Sequence, residues 1–213
     1  TTEIYTLSLH DALPISVYQI YAPIYDRLFG IVMKKARQRS VDLLSLQPGD
    51  HLLIPGIGTG LDLAYISAGV QVTGTDISPA MLSEAKRKSY EGLKLMEMDA
   101  QTLQFPDSSF DAVLLNLILS VVPDGKKCLQ EAWRVLRPGG RIAIFDKFLP
   151  DHSRLTFSRG LLGGLIRQLG TDPNRRFGEM AKIIPEAIIV IDESAMLHGQ
   201  YRVILLKKPN ISS

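Results

Sequence analysis

The chain has 213 residues, of which 46% are hydrophobic and 22% charged, and its formal net charge is +2. This length is enough for one substantial core but too short for two comfortable domains, so a single α/β domain is the default expectation. The one cysteine, Cys128, excludes an internal disulfide and a cysteine cluster for zinc or iron–sulfur. The near balance of charge, without an aromatic and basic platform, argues against nucleic acid as a partner.

Residues 1–16 read TTEIYTLSLHDALPIS, which is similar to translated sequencing-adapter sequence. We therefore predict a non-native or disordered arm there, with a genuine N-terminal arm as the alternative, and a single domain over residues 17–213. The start lacks the basic-then-apolar order of a signal peptide, and no apolar run reaches the ~18 residues of a membrane span. These patterns predict a cytoplasmic protein.

Residues 17–46 carry apolar side chains at helical spacing, and Pro23 divides them into a short helix and a longer one. Tyr18, Tyr21 and Tyr25 lie on one side of this pattern. Amphipathic packing explains each tyrosine singly, but as a group they are candidates for an aromatic wall that faces a substrate. The basic residues of the second helix, in the stretch KKARQR at 34–39, are interpreted as a solvated face.

A buried strand at residues 52–54 is closed by Pro55 and followed by Gly56, Gly58 and Gly60. Glycine accepts positive φ and lets a ligand approach the main chain. A helix that starts at Leu61 would direct its free N–H groups towards the turn. A βαβ turn that collects glycines for structural reasons alone is the alternative.

Asp76 ends the second strand, 20 residues after Gly56. A carboxylate at this distance can accept hydrogen bonds from both hydroxyls of a ribose. The dinucleotide fingerprint needs a further glycine at position 61, which is leucine here. The spacing therefore predicts a nucleoside whose tail lacks a diphosphate.

Ser78 and Pro79 predict the start of a helix that runs to about Tyr90, and Met81 on it could pack on a base or simply fill the core. A third strand, residues 93–98, ends at Asp99 and Ala100, where open α/β sheets bind ligands.

A fourth strand at residues 112–115 leads into Asn116 and an apolar run that ends at Val122. This run predicts a hydrophobic acceptor pocket or only a buried helix end. A helix at residues 124–136 and a fifth strand at 141–145 follow, and that strand ends at Asp146.

Residues 147–213 hold 10 basic and 6 acidic side chains, so the end of the chain is its cationic part. Residues 150–170 predict a basic amphipathic helix, which could be a lid over an apolar acceptor, a surface on an anionic membrane, or a helix packed on the sheet. We describe residues 150–180 as a lid-like helical insertion. Strands at residues 187–191 and 201–206 follow, and we expect the second to run antiparallel at the sheet edge, with Lys207 and Lys208 in solvent.

Four stretches occur in the order and spacing of a known family: PGIGTGLDL, VTGTDISPAML, MDAQTLQFPDSSFDAVLLNL and VLRPGGRIAIFD. Together they resemble the motifs of class I S-adenosylmethionine-dependent methyltransferases, over roughly residues 18–208. The segments YAPIYDRLFG and LILSVVPDGKKCLQEAWRVLRPGG are most similar to bacterial phospholipid (phosphatidylethanolamine) N-methyltransferases and their quinone-methylating relatives. The resemblance implies an α/β fold with a Rossmann-like, seven-stranded, mostly parallel sheet, helices on both faces and an antiparallel edge strand.

The resemblance also implies S-adenosyl-L-methionine as cofactor and S-adenosyl-L-homocysteine as product. In the family, the position of Asp99 accepts a hydrogen bond from the adenine amino group, and the next backbone N–H donates to the ring. Most members carry an acid where this chain has Ile54, and Asp62 could supply a compensating charge for the amino group of the cofactor. The predicted cofactor-binding residues are Gly56, Gly58, Thr59, Gly60, Asp62, Asp76, Ile77, Met81, Asp99, Ala100 and Asn116.

In the family the region after strand four meets both the methyl donor and the acceptor. Enzymes that methylate base or glutamine amines place Asn/Asp-Pro-Pro-aromatic there, whereas Asn116 is followed by Leu-Ile-Leu, which disfavours that chemistry. Tyr25, Asp146 and His152 are candidates to take or orient a proton. The predicted substrate-facing residues are Tyr18, Tyr21, Leu117 and Phe148, and no set of metal ligands is visible.

Three functions remain open at this point. The first is methylation of an apolar or amphipathic acceptor, such as a phospholipid amine headgroup, with peripheral contact at the inner membrane face. The second is O- or C-methylation of a quinone or small phenol. The third, suggested by Ile54, is an S-adenosylmethionine-binding relative with other or no chemistry.

Overall fold

The computed structural model describes residues 33–88, 90–149, 175–196 and 199–210. The predictions for the arm at 1–16, for Tyr18, Tyr21, Tyr25 and His152, and for residues 150–174 of the insertion lie outside these ranges. The described α-helices are α1 (Lys34–Leu43), α2 (Pro79–Lys86), α3 (Gly125–Val135) and α4 (Phe177–Ala181). The strands are β1 (His51–Pro55), β2 (Gln71–Asp76), β3 (Leu93–Glu97), β4 (Phe110–Asn116), β5 (Leu136–Lys147), β6 (Ile188–Met196) and β7 (Tyr201–Lys207).

The seven strands form one sheet in the order β3-β2-β1-β4-β5-β7-β6. Strands β1 to β5 pair in parallel, and β7 pairs antiparallel with both β5 and β6. The predicted class, a mostly parallel sheet of Rossmann-like type, is therefore confirmed. The strand order reverses beside β1, and open α/β sheets bind ligands at such a point, outside the carboxyl ends of the strands.

The antiparallel strand β7 is not at the edge, so the predicted edge position is wrong. It lies between β5 and β6, and β6 forms the edge. The burial explains this order, because Val203, Ile204 and Leu206 of β7 are buried, whereas Ile188 and Ile189 of β6 are half exposed. A near-continuous apolar run is typical of a strand covered on both faces.

Lys208 is also not in solvent as predicted. It is half-buried at the end of α3, where its Nζ donates hydrogen bonds to the carbonyl oxygens of Trp133 and Leu136, both at 2.8 Å. The positive charge there compensates carbonyls that the helix end leaves without a partner. Lys207 is exposed, as expected.

Two apolar clusters cover opposite faces of the sheet, because neighbouring residues of a strand point to opposite sides. Leu53 of β1 packs in the cluster that contains α3, with Leu129 and Trp133. Its neighbours Leu52 and Ile54 pack in the other cluster, which contains Val41 at the end of α1. Helices therefore lie on both faces, and α1 lies on the face that buries Ile54.

None of the described helices is long and apolar enough to cross a bilayer.

Candidate active site

The parallel strands bring the predicted residues to one edge of the sheet. The glycine turn follows β1, Asp76 ends β2, Asp99 follows β3, Asn116 ends β4, and Asp146 lies near the end of β5. Because parallel strands have their carboxyl ends at the same edge, residues spread over 90 positions of the chain share one region of the surface.

The glycine turn is packed on one side and open on the other. Gly56 has a φ of 62°, and a Cβ on it would overlap the side chain of Ile118. Gly58 has a φ of 57°, and a Cβ on it would meet no heavy atom within 4 Å. The Ile57 N–H donates to the Thr75 carbonyl oxygen at 2.9 Å, which holds the turn against β2. A ligand can therefore approach the main chain at Gly58.

Asp76 is held by the backbone of its surroundings. Its Oδ2 accepts from the Gly58 N–H and its Oδ1 from the Ser78 N–H, both at 2.9 Å. Burial raises the pKa of Asp76, and hydrogen bonds from the N–H groups of Ser78, Gly58 and Ile77 oppose this rise. A carboxylate has about four lone-pair sites, so the three N–H groups still leave acceptor capacity for a ligand hydroxyl.

Beside Asp76 lies an apolar surface that a planar ring could cover. The Ile77 side chain is 53% exposed, which is unusual for isoleucine. Met81 is buried one turn into α2, and the Ser78 hydroxyl caps that helix by accepting from the Met81 N–H at 3.4 Å.

Asp99 and Ala100 form a turn after β3. The Asp99 Oδ1 accepts from the Gln101 N–H at 2.8 Å, and the Thr102 N–H donates to the Asp99 carbonyl oxygen at 3.0 Å. The Gln101 Nε2 lies 3.0 Å from Oδ1 and 3.1 Å from Oδ2 of Asp99. Ala100 is buried.

A buried polar network joins α1 to the segment after the glycine turn. Asp62 lies in a 3₁₀ helix, Leu61–Tyr65, which begins at the predicted residue, and it is 3% exposed. Its Oδ1 and Oδ2 accept from the Arg37 Nη1 at 2.9 and 2.8 Å, and Oδ1 also accepts from the Asn116 Nδ2 at 2.9 Å. The Ser40 hydroxyl lies 3.0 Å from the Asn116 Oδ1. Thr59 and Gly60 lead into this helix; Thr59 is buried and Gly60 has a φ of 76°.

This network bears on the substitution at position 54. Ile54 is buried in the apolar cluster beside α1, and the carboxylate of this region is that of Asp62. Arg37 already neutralises the charge of Asp62. The Asp62 carboxylate therefore orients the side chains of Arg37 and Asn116, and it is not a free negative charge. The role of Asp62 as a compensating charge for the amino group of the cofactor stays a prediction.

The loop after β4 carries backbone strain. Leu117 has a φ of 57°, a left-handed conformation that is an outlier for a bulky residue, and its N–H donates to the Phe145 carbonyl oxygen at 2.7 Å. Its side chain packs against an apolar cluster that contains Met33, Ala36 and Phe145. Its role as a substrate-facing residue stays a prediction.

Asp146 is fully buried, and its oxygens face the loop. Its Oδ1 accepts from the Ser120 hydroxyl at 2.5 Å and from the Lys147 N–H at 2.7 Å, and its Oδ2 accepts from the Ser120 N–H at 3.1 Å. Burial raises the pKa of Asp146, and these hydrogen bonds oppose the rise. Its catalytic role stays a prediction, since the contacts describe a group that holds the loop.

Phe148, a predicted substrate-facing residue, lies in the apolar core. It is 1% exposed, and its ring centroid is 5.5 Å from that of Phe177 in α4. The Arg202 guanidinium lies over both rings, at 6.0 Å from the Phe148 centroid and 5.6 Å from the Phe177 centroid.

Comparison with known proteins places this geometry in a family. A model of the methyltransferase domain matches residues 53–144. A phosphatidylethanolamine N-methyltransferase of Cereibacter sphaeroides is 38% identical over 152 residues, which cover 69% of this chain and 74% of that protein. The chain belongs to the class I S-adenosylmethionine-dependent methyltransferases.

Two further proteins illustrate the range of the family. The methyltransferase is 38% identical to a demethylmenaquinone methyltransferase of Thermus thermophilus over 165 residues, which cover 68% of this chain and 74% of that protein. The solved structure of an S-adenosylmethionine-dependent methyltransferase from Thermotoga maritima matches with a TM-score of 0.64 and 19% identity, over 91% of this chain and 99% of that chain. The second likeness concerns the fold.

The described residues of the methyltransferase fit its cofactor, S-adenosylmethionine. The space above Gly58 is open, since a Cβ there would meet no heavy atom within 4 Å, and its N–H lies beside the acceptor capacity left on Asp76. The exposed side chain of Ile77 offers an apolar surface next to that carboxylate, as an adenine ring needs. A nucleoside whose sugar is held at Asp76 would extend its base towards Ile77 and Asp99.

The sequence pattern misses four residues that the methyltransferase uses to build this site: Arg37, Ser40, Gln101 and Ser120. The pattern assigns Arg37 to a solvated face, yet it is buried, whereas its neighbours Lys34, Lys35 and Arg39 are exposed. The helical period contains the signal, because Arg37 shares a face with Met33, Ser40 and Val41. The sequence around Ser120 and Gln101 contains no comparable signal. The partner of Ser120 is the distant Asp146, and Gln101 meets Asp99 only because the chain turns there.

Proposed function

We propose that this methyltransferase transfers a methyl group to the amine headgroup of a phospholipid. The observation that carries this proposal is the 38% identity to a phosphatidylethanolamine N-methyltransferase over most of both chains. A lipid acceptor must be reached in or at a bilayer, so the proposal includes peripheral contact with the inner face of the cytoplasmic membrane. The basic end of the chain would favour an anionic lipid surface.

The loop after β4 supports an apolar or amphipathic acceptor. Ile118 and Leu119 are buried and Leu117 is half-buried, so this loop lines its end of the sheet with hydrocarbon. The strained backbone of Leu117 is kept although it costs free energy, which is common where a loop is shaped for a ligand. An acyl chain or a glycerol backbone suits this surface better than a charged or highly polar acceptor.

The main task of this site is to align the acceptor nitrogen with the methyl carbon and sulfur of the cofactor. When bound, S-adenosylmethionine supplies a methyl carbon on a sulfonium, so an amine lone pair can form the N–C bond while the C–S bond electrons move to sulfur. Asp76 would hold the ribose by its free lone pairs, and the turn at Gly58 would allow close approach of the methionyl portion. The apolar loop excludes water from the line between nitrogen and methyl carbon. The product ammonium releases its proton to solvent.

The surroundings of Asp146 favour an amine over a phenol. A phenol must lose its proton to become a good nucleophile, which requires a base that can reach it. Asp146 is a carboxylate near the end of β5. Its oxygens are buried and already accept hydrogen bonds from Ser120 and Lys147. The headgroup ammonium reacts through its neutral fraction, which has already lost a proton to solvent, so it needs no base from the protein.

The test is methyl transfer from radiolabelled S-adenosylmethionine to vesicles of phosphatidylethanolamine mixed with phosphatidylglycerol. Vesicles in which phosphatidylcholine replaces phosphatidylethanolamine are the matched control, because their headgroup nitrogen has no lone pair. We expect label in the lipid fraction only with the first vesicles. Equal or absent incorporation with both, in a protein that binds S-adenosylhomocysteine, would refute the lipid amine as acceptor.

A second candidate is O- or C-methylation of a quinone or small phenol, favoured by the identity to a demethylmenaquinone methyltransferase. It predicts transfer to soluble dihydroxynaphthalene analogues in the absence of vesicles. If neither acceptor is methylated while S-adenosylhomocysteine binds, another acceptor or other chemistry must be sought.

A further inference from the structure

We propose that Gln101 is a positioning residue that aims the Asp99 carboxylate at the adenine amino group and joins this contact to the loop on the acceptor side. The inference rests on the proposed methyltransferase function and on adenine binding at Asp99, which the family resemblance implies. It does not depend on the identity of the acceptor.

The orientation of the Gln101 amide follows from its partners. One end of the amide lies 3.0 and 3.1 Å from the two oxygens of Asp99, and the other end lies 2.8 Å from the backbone nitrogen of Asp124. An ionised carboxylate can only accept, and a backbone N–H can only donate. The Nε2 must therefore face Asp99 and the Oε1 must face Asp124, and no flipped arrangement satisfies both contacts.

These contacts leave a defined acceptor position on Asp99. The Oδ1 accepts from both the backbone N–H and the Nε2 of Gln101, whereas the Oδ2 accepts, among the described residues, from Nε2 only, at 3.1 Å. The Oδ2 thus keeps more of its hydrogen-bonding capacity, and Gln101 restricts rotation of the carboxylate about its Cβ–Cγ bond. The exocyclic amino group of adenine is a donor of the kind that such an oxygen accepts.

The other end of Gln101 reaches the loop that follows β4. Asp124 is the N-cap of α3, where its Oδ1 accepts from the Lys127 N–H at 3.1 Å, and it lies directly after the loop of residues 117–123. The Arg175 guanidinium donates to carbonyl oxygens of the same loop, including that of Val122 at 2.6 Å. The Gln101 side chain therefore connects the adenine contact to a loop that is fixed at both of its ends.

The Gln101→Glu variant separates the two contacts. Glutamate at this position can still accept from the Asp124 N–H, but when ionised it cannot donate to Asp99 and it places a second negative charge beside it. Gln101→Met keeps the volume of the side chain and removes both contacts. Gln104→Ala is the matched control, since Gln104 lies with Gln101 in the connection between β3 and β4 and has an exposed side chain.

The experiment is calorimetric titration of the full chain with S-adenosylhomocysteine and with its purine-riboside analogue, in which hydrogen replaces the adenine amino group and ring N1 remains an acceptor. We expect the wild-type protein and Gln104→Ala to prefer the adenine ligand by roughly tenfold or more, the scale of a hydrogen bond to a charged group. In Gln101→Glu and Gln101→Met, this preference should fall close to one.

A structural role would weaken both ligands by the same factor and leave their ratio unchanged, and that result would overturn the proposal. Equal binding of both ligands by the wild-type protein would also overturn it, by removing the contact at Asp99. Thermal unfolding shows which variants are folded. One folded Gln101 variant is enough to measure the ratio of the affinities for the two ligands. Failure of the lipid assay would leave this ratio intact, so the two proposals fail separately.

Discussion

Arg37 and Asp62, which are 25 residues apart, form a buried ion pair in which a single guanidinium nitrogen lies within 2.9 Å of both carboxylate oxygens. Their side chains are 6% and 4% exposed. The pair links α1 to the segment after the glycine turn, and through Asn116 it reaches the end of β4. The position of the N-terminal helix and the shape of the cofactor site are therefore coupled.

Arg37→Leu should destabilise the fold by about 3–5 kcal/mol, because it leaves the Asp62 carboxylate buried without its cation. The double variant Arg37→Leu/Asp62→Leu should recover part of this loss, because it removes the unpaired charge, while the Asn116 amide then loses its acceptor on Asp62. Urea titration gives the free energy of unfolding. Arg39→Leu is the control on the same helix, and its exposed pair with Glu193 should contribute less than about 1 kcal/mol. Equal effects of Arg37→Leu and Arg39→Leu would contradict the assignment.

Gly58→Ala should weaken binding of S-adenosylhomocysteine roughly tenfold or more, the scale of 1–3 kcal/mol for a methyl group forced into filled space. Gly49→Ala is a matched control, because Gly49 also has positive φ and open surroundings but precedes β1 at the opposite edge of the sheet. Each alanine should cost about 1–2 kcal/mol of stability through backbone strain. Calorimetry measures the affinity of both variants for S-adenosylhomocysteine. Similar affinities of Gly58→Ala and Gly49→Ala would place the cofactor elsewhere.

Binding of S-adenosylhomocysteine should weaken on acidification at a higher pH than an ordinary aspartate would cause. Burial raises the pKa of Asp76, so its carboxylate takes up a proton, and loses acceptor capacity, as pH falls through this raised value. The same raised pKa means that Asp76 contributes less to the stability of the free protein as pH rises from its unfolded pKa through the folded one. Titrations between about pH 7 and about pH 4 follow the binding.

Asp76→Asn should bind more weakly at neutral pH and lose this part of the pH dependence. The control is Asp42→Asn, which changes an exposed carboxylate on α1. An unchanged pH profile in Asp76→Asn would show that another group controls binding.

Ser120→Ala should destabilise the protein by about 1–3 kcal/mol, because the buried Asp146 loses the hydroxyl that donates to its Oδ1. The sign of the pH dependence follows from the pKa of Asp146, which burial raises and Ser120 lowers. Without the hydroxyl the folded pKa rises further, so the penalty for ionising Asp146 grows as pH increases. The difference in unfolding free energy between wild type and variant should thus widen with rising pH and narrow in acid.

Ser109→Ala is the control for this experiment, since its hydroxyl donates to the Pro106 carbonyl oxygen at an exposed site. It should change stability by no more than about 0.5 kcal/mol at any pH. A difference for Ser120→Ala that does not vary with pH would separate this serine from the titration of Asp146.

The sequence by itself determined the features of this methyltransferase that depend on neighbours in the chain. A glycine turn after an apolar strand, an acid at the end of the next strand and another after the third are local patterns, so the sequence alone locates Gly58, Asp76 and Asp99. The parallel arrangement then follows, because alternating strands and helices place such residues at a common edge.

Only the tertiary structure decided which distant residues meet. Arg37 belongs to a run of basic residues in sequence, and only the packing of α1 on the sheet buries it against Asp62. In the same way, β7 enters between β5 and β6 because an apolar strand gains more by coverage on both faces than at an edge. The contacts of Gln101 and Ser120 join residues that only the folded chain brings together, and their free energy depends on this burial. Local periodicity therefore places residues at the site, whereas the pairing of polar groups within the site requires the fold.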